Sequence, residues 1–373
     1  MNPRVIGVLA MAVAAVVGLT GCTANIETAT PTPVAFKACM VSGPDGFNDG
    51  EINQDAYYGL LQAEAQYGVS TSALQLKAGS SSYQTFRAAR KLVSRGCNLV
   101  FTVAGVRGQL ATLANGNPKV RFVELEPRAS QSNSQQVPNG NLTDIAYDTR
   151  VAFLQAGYLA ASKAASGKVA VIGSTDDSTV ESEIWYFRQG VYQYAERAGK
   201  LVQILGAQQA EPATWKLLPS DVSANLLRSR TRQLIAAGAD VLVPIGVNGL
   251  VVAQIAQASQ KYVIGGGSDW SVSQRYSSVR DAVLASVPKP YSQAVVDQVA
   301  QSLGLQSASP APSSSAAASG ATGSSWFVSL TATLTPEGKI SFGGVAQALE
   351  QLASDYLTGR STVVEPSPAV QVN

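Results

Sequence analysis

The 373-residue chain contains no histidine, only three cysteines, and charged residues at 14% of its positions. Histidine is the side chain that most often serves as a general base near neutral pH, so its absence excludes Ser-His-Asp and Cys-His catalytic sites. It also removes the commonest metal ligand, and a zinc site would have to be built from cysteine and carboxylates alone. The sequence therefore argues against an exported hydrolase, and we expect no metal and no cofactor.

The charge balance is almost even, with 27 basic and 25 acidic residues and a net charge of +2. The sequence contains no run of five or more basic residues, so it lacks the electrostatic signature of a nucleic-acid-binding protein. Hydrophobic residues make up 46% of the chain, which at this length is enough to bury a substantial core.

The first residues have the pattern of an export signal. After Arg4, residues 5–19 carry no charge, and this run is too short to span a membrane comfortably. It ends in Leu19-Thr20-Gly21-Cys22, which resembles the lipobox of bacterial lipoproteins. We therefore expect a signal peptide over residues 1–21, acylation of Cys22, a polar tether over residues 22–35, and a location on the outer face of the cell membrane. The alternative is an ordinary signal peptide that happens to contain a cysteine.

From residue 36 onward, short β-rich segments alternate with helical patterns, which predicts an α/β fold with parallel sheets. Strands are predicted at 36–42, 73–77, 98–104, 120–125, 168–173, 201–205, 240–245 and 262–266. Helices are predicted at 54–67, 83–95, 109–113, 149–165, 183–198, 222–237, 249–259 and 345–357. The simplest architecture is two doubly wound lobes joined by a hinge.

We assign lobe 1 to residues 36–145, lobe 2 to 146–282, and a return to lobe 1 and the hinge to 283–373. Residues 307–325 are rich in Ser, Ala and Pro, without periodicity, and we expect a disordered insertion there. Residues 326–333 and 339–342 are expected to form a hairpin. Cys39 and Cys97 are the two cysteines left after Cys22; they form either a disulfide or two buried free thiols.

Ligands of open α/β sheets bind beyond the carboxyl ends of the strands, so the loops that follow the strands are the candidate site. Asn48 and Asp49 follow the first strand, Gly246 follows the strand at 240–245, and Asp269 follows the strand at 262–266. Loops of this composition suit a polar, neutral ligand with hydroxyl groups and a ring. The alternative is that Gly, Asn and Asp simply form turns there.

Several segments resemble the basic membrane protein family of bacterial lipoproteins, the purine-nucleoside receptors of ABC importers. The similar segments are residues 46–60 (GFNDGEINQDAYYGL), 146–160 (AYDTRVAFLQAGYLA), 167–173 (GKVAVIG), 187–190 (FRQG), 262–269 (YVIGGGSD) and 285–289 (ASVPK). The resemblance implies a type I periplasmic-binding-protein fold with a nucleoside between the lobes.

The resemblance also implies roles for individual residues. Asn53 and Asp148 would hydrogen-bond the base, Phe187 would stack on it, and Asp269 and Lys289 would hold the ribose hydroxyls. Ile52 is a departure, because it stands where the family has a phenylalanine.

We therefore expect a lipid-anchored receptor that delivers a nucleoside or related solute to the permease subunits of an ABC importer, and not an enzyme. Two alternatives stay open at this point. One is a receptor for another polar solute such as a sugar, and the other is a surface sensor or adhesion module with the same fold.

Overall fold

A computed structural model describes residues 35–44, 46–49, 51–77, 79–103, 106–127, 140–174, 178–206, 217–219, 222–305, 323–327, 331–332, 344–358 and 370–372. The expected signal peptide, Cys22 and all of the tether before residue 35 lie outside these ranges. Residues 307–322 of the expected insertion and the second strand of the expected hairpin, 339–342, also lie outside them.

The first half of the chain alternates strands and helices as predicted. Its elements are β1 (Lys37–Val41), α1 (Ile52–Tyr67), β2 (Ser70–Leu74), α2 (Ser82–Ser94), β3 (Leu99–Val103), α3 (Arg107–Gly116), β4 (Arg121–Leu125) and β5 (Leu142–Asp148). Gly68 ends α1 in the left-handed conformation, at φ 66°, and donates its N–H to the Glu64 carbonyl. Ser81 and Gln84 form a capping box at the start of α2.

The second half continues the alternation. Its elements are α4 (Arg150–Lys163), β6 (Lys168–Gly173), α5 (Ser178–Ala198), β7 (Val202–Leu205), α6 (Ala224–Ala236), β8 (Val241–Ile245), α7 (Gly249–Ala258), β9 (Tyr262–Gly267), a 3₁₀ segment (Gln274–Ala282) and β10 (Val283–Pro288). They are followed by α8 (Tyr291–Ser302), β11 (Gly323–Phe327), β12 (Thr331–Ala332), α9 (Gly344–Leu357) and β13 (Val370–Val372).

The strands form two sheets, one in each lobe, which confirms the predicted fold class. The first sheet has the order β11-β5-β4-β3-β1-β2, and the second has the order β12-β10-β9-β8-β6-β7-β13. Neighbouring strands are parallel except for β12, which runs antiparallel to β10. Helices cover the sheets, and the buried apolar side chains of strands and helices form the core of each lobe.

The strand pairing differs from the expected boundaries after residue 282. β10 pairs with β9, so the second sheet extends to Pro288, and the chain returns to the first lobe only at α8, which packs on α1. The expected hairpin is also wrong in its first strand, because β11 joins β5 in the first sheet while β12 joins β10 in the second. Gly323 to Ser325, which are predicted to belong to the insertion, begin β11.

One strand begins earlier than predicted, and three strands, β5, β10 and β13, were not predicted. β2 begins at Ser70, three residues before the predicted start. β5 was not predicted because its charged residue Asp144 interrupts the apolar pattern; in the structure Asp144 is buried and its carboxylate is paired with the Arg107 guanidinium.

A disulfide in the first lobe and a close helix crossing in the second fix the packing within the lobes. Cys39 in β1 and Cys97 before β3 form a disulfide, with their Cα atoms 6.0 Å apart.

In the second lobe, α4 and α5 cross where their backbones touch. A Cβ atom on Gly157 would lie 1.8 Å from the Phe187 carbonyl oxygen, and one on Gly190 would lie 1.9 Å from the Leu154 carbonyl oxygen. Only glycine allows the two helices to approach this closely.

Candidate functional site

The two lobes face each other across a cavity of about 790 Å³ at the carboxyl ends of their strands. The first lobe contributes the loop after β1, the start of α1 and the residue after β4; the second contributes the starts of α5 and α7 and the ends of β8, β9 and β10. The lining residues are Asn48, Asp49, Glu51, Ile52, Asn53, Glu126, Phe153, Thr179, Val180, Glu183, Val222, Pro244, Ile245, Gly246, Val247, Asn248, Gly249, Gly266, Gly267, Trp270, Arg275, Val287 and Lys289. Five of the predicted site residues, Asn48, Asp49, Asn53, Gly246 and Lys289, are among them.

The first-lobe wall is organised by Asp49. Its carboxylate accepts hydrogen bonds from the backbone N–H groups of Glu51 (2.9 Å) and Gln54 (3.0 Å) and from the side-chain amide of Asn53 (2.7 Å). Asn53 in turn accepts from the N–H of Gly43 at 2.5 Å and is only 3% exposed. Both predicted residues therefore lie at the cavity, and their hydrogen bonds build the first turn of α1.

A largely buried ionic cluster forms part of the cavity wall. The Lys289 ammonium is 2.8 Å from a Glu126 carboxylate oxygen and 3.5 Å from one of Glu183. Glu183 also accepts a hydrogen bond from the Thr149 hydroxyl (2.8 Å), and Glu126 accepts one from the Tyr291 hydroxyl. Burial raises the pKa of Glu183, against the opposing effect of Lys289. Burial alone would lower the pKa of Lys289, but its two carboxylate neighbours raise it, so the ammonium is charged at all relevant pH values.

Sequence reasoning found Lys289 but missed both of its partners. Glu126 follows β4, so the rule that ligands lie beyond strand ends could have identified it. Glu183 lies within α5 and has no such signal, because an acidic residue in a helix usually faces water.

A second polar contact joins the two lobes across the cavity. The Tyr276 hydroxyl of the 3₁₀ segment donates a hydrogen bond to Glu51, which directly precedes α1. Burial raises the pKa of the Glu51 carboxyl to about 7, although the bond from Tyr276 lowers it. Glu51 was not predicted as a site residue.

The aromatic surface of the cavity belongs to the second lobe. Trp270 stacks on Tyr276 with ring centroids 4.0 Å apart, and its indole N–H donates to the Gly266 carbonyl at 3.1 Å. Phe153 of α4 also lines the cavity. On the first-lobe side, Ile52 lines the cavity at the position where the resembled family has a phenylalanine.

Three predicted site residues lie away from this cavity. Phe187 is completely buried in the core, which corrects the expectation that its ring stacks on a ligand. Asp148 is paired with the Arg150 guanidinium and does not line the cavity. Asp269 accepts hydrogen bonds from the N–H (2.9 Å) and hydroxyl (2.7 Å) of Ser271. Asp269 lines an adjacent cavity of about 410 Å³, which shares Glu51 and Lys289 with the larger one.

Among the residues that the structure describes, no cluster of Cys, Asp or Glu side chains could hold a metal ion. Within the same ranges, none of the helices combines the length and the apolar character needed to cross a membrane.

Comparison with known proteins gives one family match and several relatives. The family described as "ABC transporter substrate-binding protein PnrA-like" matches residues 36–306, which include most of both lobes and every residue that lines the cavity. The chain is 26% identical over 258 residues to basic membrane protein B of Borrelia garinii subsp. bavariensis, covering 68% of this chain and 70% of that protein. It is 28% identical over 188 residues to the ABC transporter nucleoside-binding protein BmpA of Lactococcus lactis subsp. cremoris, covering 48% of this chain and 50% of that protein.

Solved structures show the same fold. An ABC transporter solute-binding protein from Aeropyrum pernix aligns with a TM-score of 0.66 at 15% identity, covering 89% of this chain and 94% of that one. The two-lobed periplasmic-binding-protein architecture expected from the sequence is therefore confirmed.

Proposed function

The chain belongs to the PnrA-like family of ABC transporter substrate-binding proteins, and we propose that it binds a nucleoside between its lobes and delivers it to an ABC permease. Membership confirms the resemblance noted in the sequence, and it makes the protein an extracytoplasmic solute receptor and not an enzyme. The nucleoside, the delivery step and the lipid anchor are our proposals.

The observation that carries the proposal is the cavity itself. It lies where ligands of α/β sheets bind, it is lined by both lobes, and its volume of about 790 Å³ lies within the range typical of small-molecule sites. Similarity to the ABC transporter nucleoside-binding protein BmpA of Lactococcus lactis supports the same ligand class.

The lining groups suit a neutral ligand with hydroxyl groups. The ionisable side chains at the cavity are four carboxylates and two cations: Asp49, Glu51, Glu126, Glu183, Arg275 and Lys289. Carboxylates accept hydrogen bonds from sugar hydroxyls, and Lys289 is already shared by two of them, which leaves it poorly placed to neutralise a phosphate. Phe153 and Trp270 are the aromatic residues of the cavity lining, and they are only 3% and 1% exposed in this arrangement. These features favour a nucleoside over a nucleotide.

A sugar receptor is the second candidate, because Ile52 gives the first-lobe wall no aromatic ring of its own. Hydroxyl recognition by carboxylates would serve a sugar equally well, so the two candidates differ in whether a base is required.

Thermal unfolding of the full chain with a panel of nucleosides, free bases and sugars tests the proposal. A ligand that binds only the folded protein adds about 2.7 kcal/mol at a hundredfold excess over its Kd, which raises the unfolding temperature by several degrees. Stabilisation by purine nucleosides supports the proposal, and stabilisation by sugars alone replaces it with the second candidate. If no compound stabilises the protein, the receptor role for these ligands is wrong.

Asn248 gives this experiment a specific variant. It lines the cavity before α7, and its side chain makes no capping hydrogen bond to that helix. We expect Asn248→Ala to weaken nucleoside binding about tenfold, the typical effect of losing one or two hydrogen bonds, without lowering stability. Asn225→Ala, on the exposed face of α6, is the matched control and should bind as the wild type does.

We propose that Cys22 carries the lipid anchor, as its lipobox-like flank indicates. Expression of the full chain in a bacterial host with labelled palmitate tests this. Label should enter the wild type and be absent from Cys22→Ser, which should also leave the membrane fraction; equal labelling of both proteins would exclude the anchor.

A further inference from the structure

We propose that Glu51 and Tyr276 form a latch between the lobes that couples their closure, and with it ligand binding, to the uptake of one proton by Glu51. The link from closure to ligand binding rests on the proposed receptor function; the link from protonation to closure does not.

The latch connects two parts of the chain that share no sheet. Glu51 directly precedes α1 of the first lobe, while Tyr276 lies in the 3₁₀ segment of the second lobe, 225 residues away. The second carboxylate oxygen of Glu51 faces the backbone of Gly267, where an added Cβ atom would lie 2.3 Å from it. Gly267 has φ 84°, a conformation that favours glycine. The carboxyl group is therefore seated against the second lobe, and the lobes cannot separate without withdrawing it.

Each end of the latch is held in place by contacts within its own lobe. Asp49 accepts the N–H of Glu51 at 2.9 Å and so fixes the start of α1. On the other side, the ring of Tyr276 is completely buried and stacks on Trp270. Because neither partner has much freedom to lose, their hydrogen bond reports directly on the arrangement of the lobes.

Glu51 also separates the two cavities. It lines both the larger one and the adjacent one of about 410 Å³, and Lys289 does the same from the second lobe. Opening the cleft would bring solvent from both sides to the Glu51 carboxyl.

Charged groups face Glu51 from every neighbouring element. Asp49 lies on its own loop and raises its pKa, whereas Arg275 of the 3₁₀ segment and Lys289 after β10 lower it. The remaining carboxyl groups of the two cavities are Asp55 on α1, Glu126 after β4, Glu183 on α5 and Asp269 after β9. Burial outweighs all of these contributions and raises the pKa of Glu51 to about 7 in the closed arrangement.

The sign of the coupling follows from the difference in the Glu51 pKa between the closed and the open arrangement of the lobes. When the lobes separate, water reaches Glu51 and its pKa falls toward the ordinary value of 4.5. The closed protein therefore binds the proton more tightly than the open one, so protonation favours closure. The contribution of Glu51 protonation to closure is fully present below the open-state pKa. It is lost as pH rises through the closed-state pKa of about 7. Affinity for a ligand held by the closed lobes should weaken roughly tenfold between about pH 5.5 and pH 8.

The first test needs no ligand. Fluorescent labels on Tyr83→Cys in α2 and Leu226→Cys in α6 report the distance between the lobes, since these positions are 61% and 49% exposed. The full chain carries Cys22→Ser so that only the introduced thiols react. We expect energy transfer to change between about pH 8 and pH 5.5 in the otherwise wild-type protein. The same change should be absent from Glu51→Gln, whose neutral amide should keep the acid-side value at both pH values.

The second test measures the Kd of adenosine across the same range, where adenosine itself does not titrate. The roughly tenfold pH dependence should disappear in Glu51→Gln and persist in the matched control Glu196→Gln, on an exposed site of α5. Tyr276→Phe keeps the ring on Trp270 but removes the bond that lowers the Glu51 pKa, so the midpoint should move to higher pH.

The outcomes separate the latch from the proposed function. If adenosine fails to bind at every pH while energy transfer still depends on Glu51, the nucleoside proposal is wrong and the latch stands. If energy transfer does not change with pH, or changes equally in Glu51→Gln, the latch is overturned. An unchanged midpoint in Tyr276→Phe would also overturn it.

Discussion

The ionic cluster at the cavity allows a quantitative prediction for the variant Lys289→Met. The substitution keeps the length of the apolar stem but removes the ammonium, which lies 2.8 Å from Glu126 and 3.5 Å from Glu183. The side chains of Lys289, Glu126 and Glu183 are 15%, 28% and 9% exposed, so two carboxyls lose their counter-charge where water cannot fully replace it.

Removing one partner of a buried ion pair costs about 3–5 kcal/mol, because the remaining charge is left buried. Glu126 is partly solvated, so we expect the lower end, about 3 kcal/mol at pH 8. Burial already raises the folded-state pKa of the Glu183 carboxyl, and removing the opposing charge of Lys289 raises it further above the unfolded value. A carboxyl whose pKa is raised in the folded state stabilises the fold at low pH, and this stabilisation is lost as pH rises. The loss of unfolding free energy in Lys289→Met should therefore become smaller toward pH 5.

Urea unfolding of the ligand-free protein at pH 8 and pH 5 provides the measurement. Lys261→Met is the matched control: Lys261 pairs with Asp240 at 2.7 Å, but the two side chains are 29% and 16% exposed, and we expect a loss below about 1 kcal/mol. Adding Glu183→Gln to Lys289→Met should restore part of the stability at pH 8. Equal losses for both lysine variants, or a loss at Lys289 that does not depend on pH, would refute this account of the cluster.

Two further predictions concern the packing within the lobes. The double variant Cys39→Ala/Cys97→Ala opens a loop with a sequence separation of 58, and urea unfolding should show a loss of about 4 kcal/mol; an unchanged midpoint would contradict it. Gly157→Ala places a methyl group against the Phe187 carbonyl oxygen and should cost about 3 kcal/mol. Gly108→Ala in α3, where the added methyl meets nothing within 4 Å, should cost nothing, and equal effects at the two glycines would refute the close helix crossing.

The alternation of strands and helices was readable from the sequence because most strands are short apolar runs bounded by Gly or polar residues. This pattern failed where a buried strand carries a charge. Asp144 lies in β5 and is neutralised by Arg107, a partner 37 residues away that no local pattern reveals. The return of the chain between lobes was also misplaced, because a strand such as β10 can join either sheet without changing its own sequence.

The site was predictable where its residues follow strands and unpredictable where they lie in helices or pair across lobes. Asp49 and Gly246 were found because they follow β1 and β8, whereas Lys289 was found through the resemblance of residues 285–289 to a known family. Glu51 and Glu183 were missed because their roles depend on partners in distant segments. Phe187 was misassigned because a buried aromatic residue at helical spacing has the same pattern whether it packs in the core or faces a ligand.

The close packing of Trp270 against Gly249 and Gly265 limits which substitutions this cavity wall can accept. A Cβ atom on Gly249 would lie 2.3 Å from the indole ring, and one on Gly265 would lie 2.1 Å from it. The three positions therefore constrain one another: side chains can enter at 249 or 265 only if residue 270 becomes smaller. Among related sequences, we expect these three positions to covary, with small residues at 270 accompanied by larger ones at 249 or 265. Ligand preference on this wall would then change through paired substitutions and not through single steps.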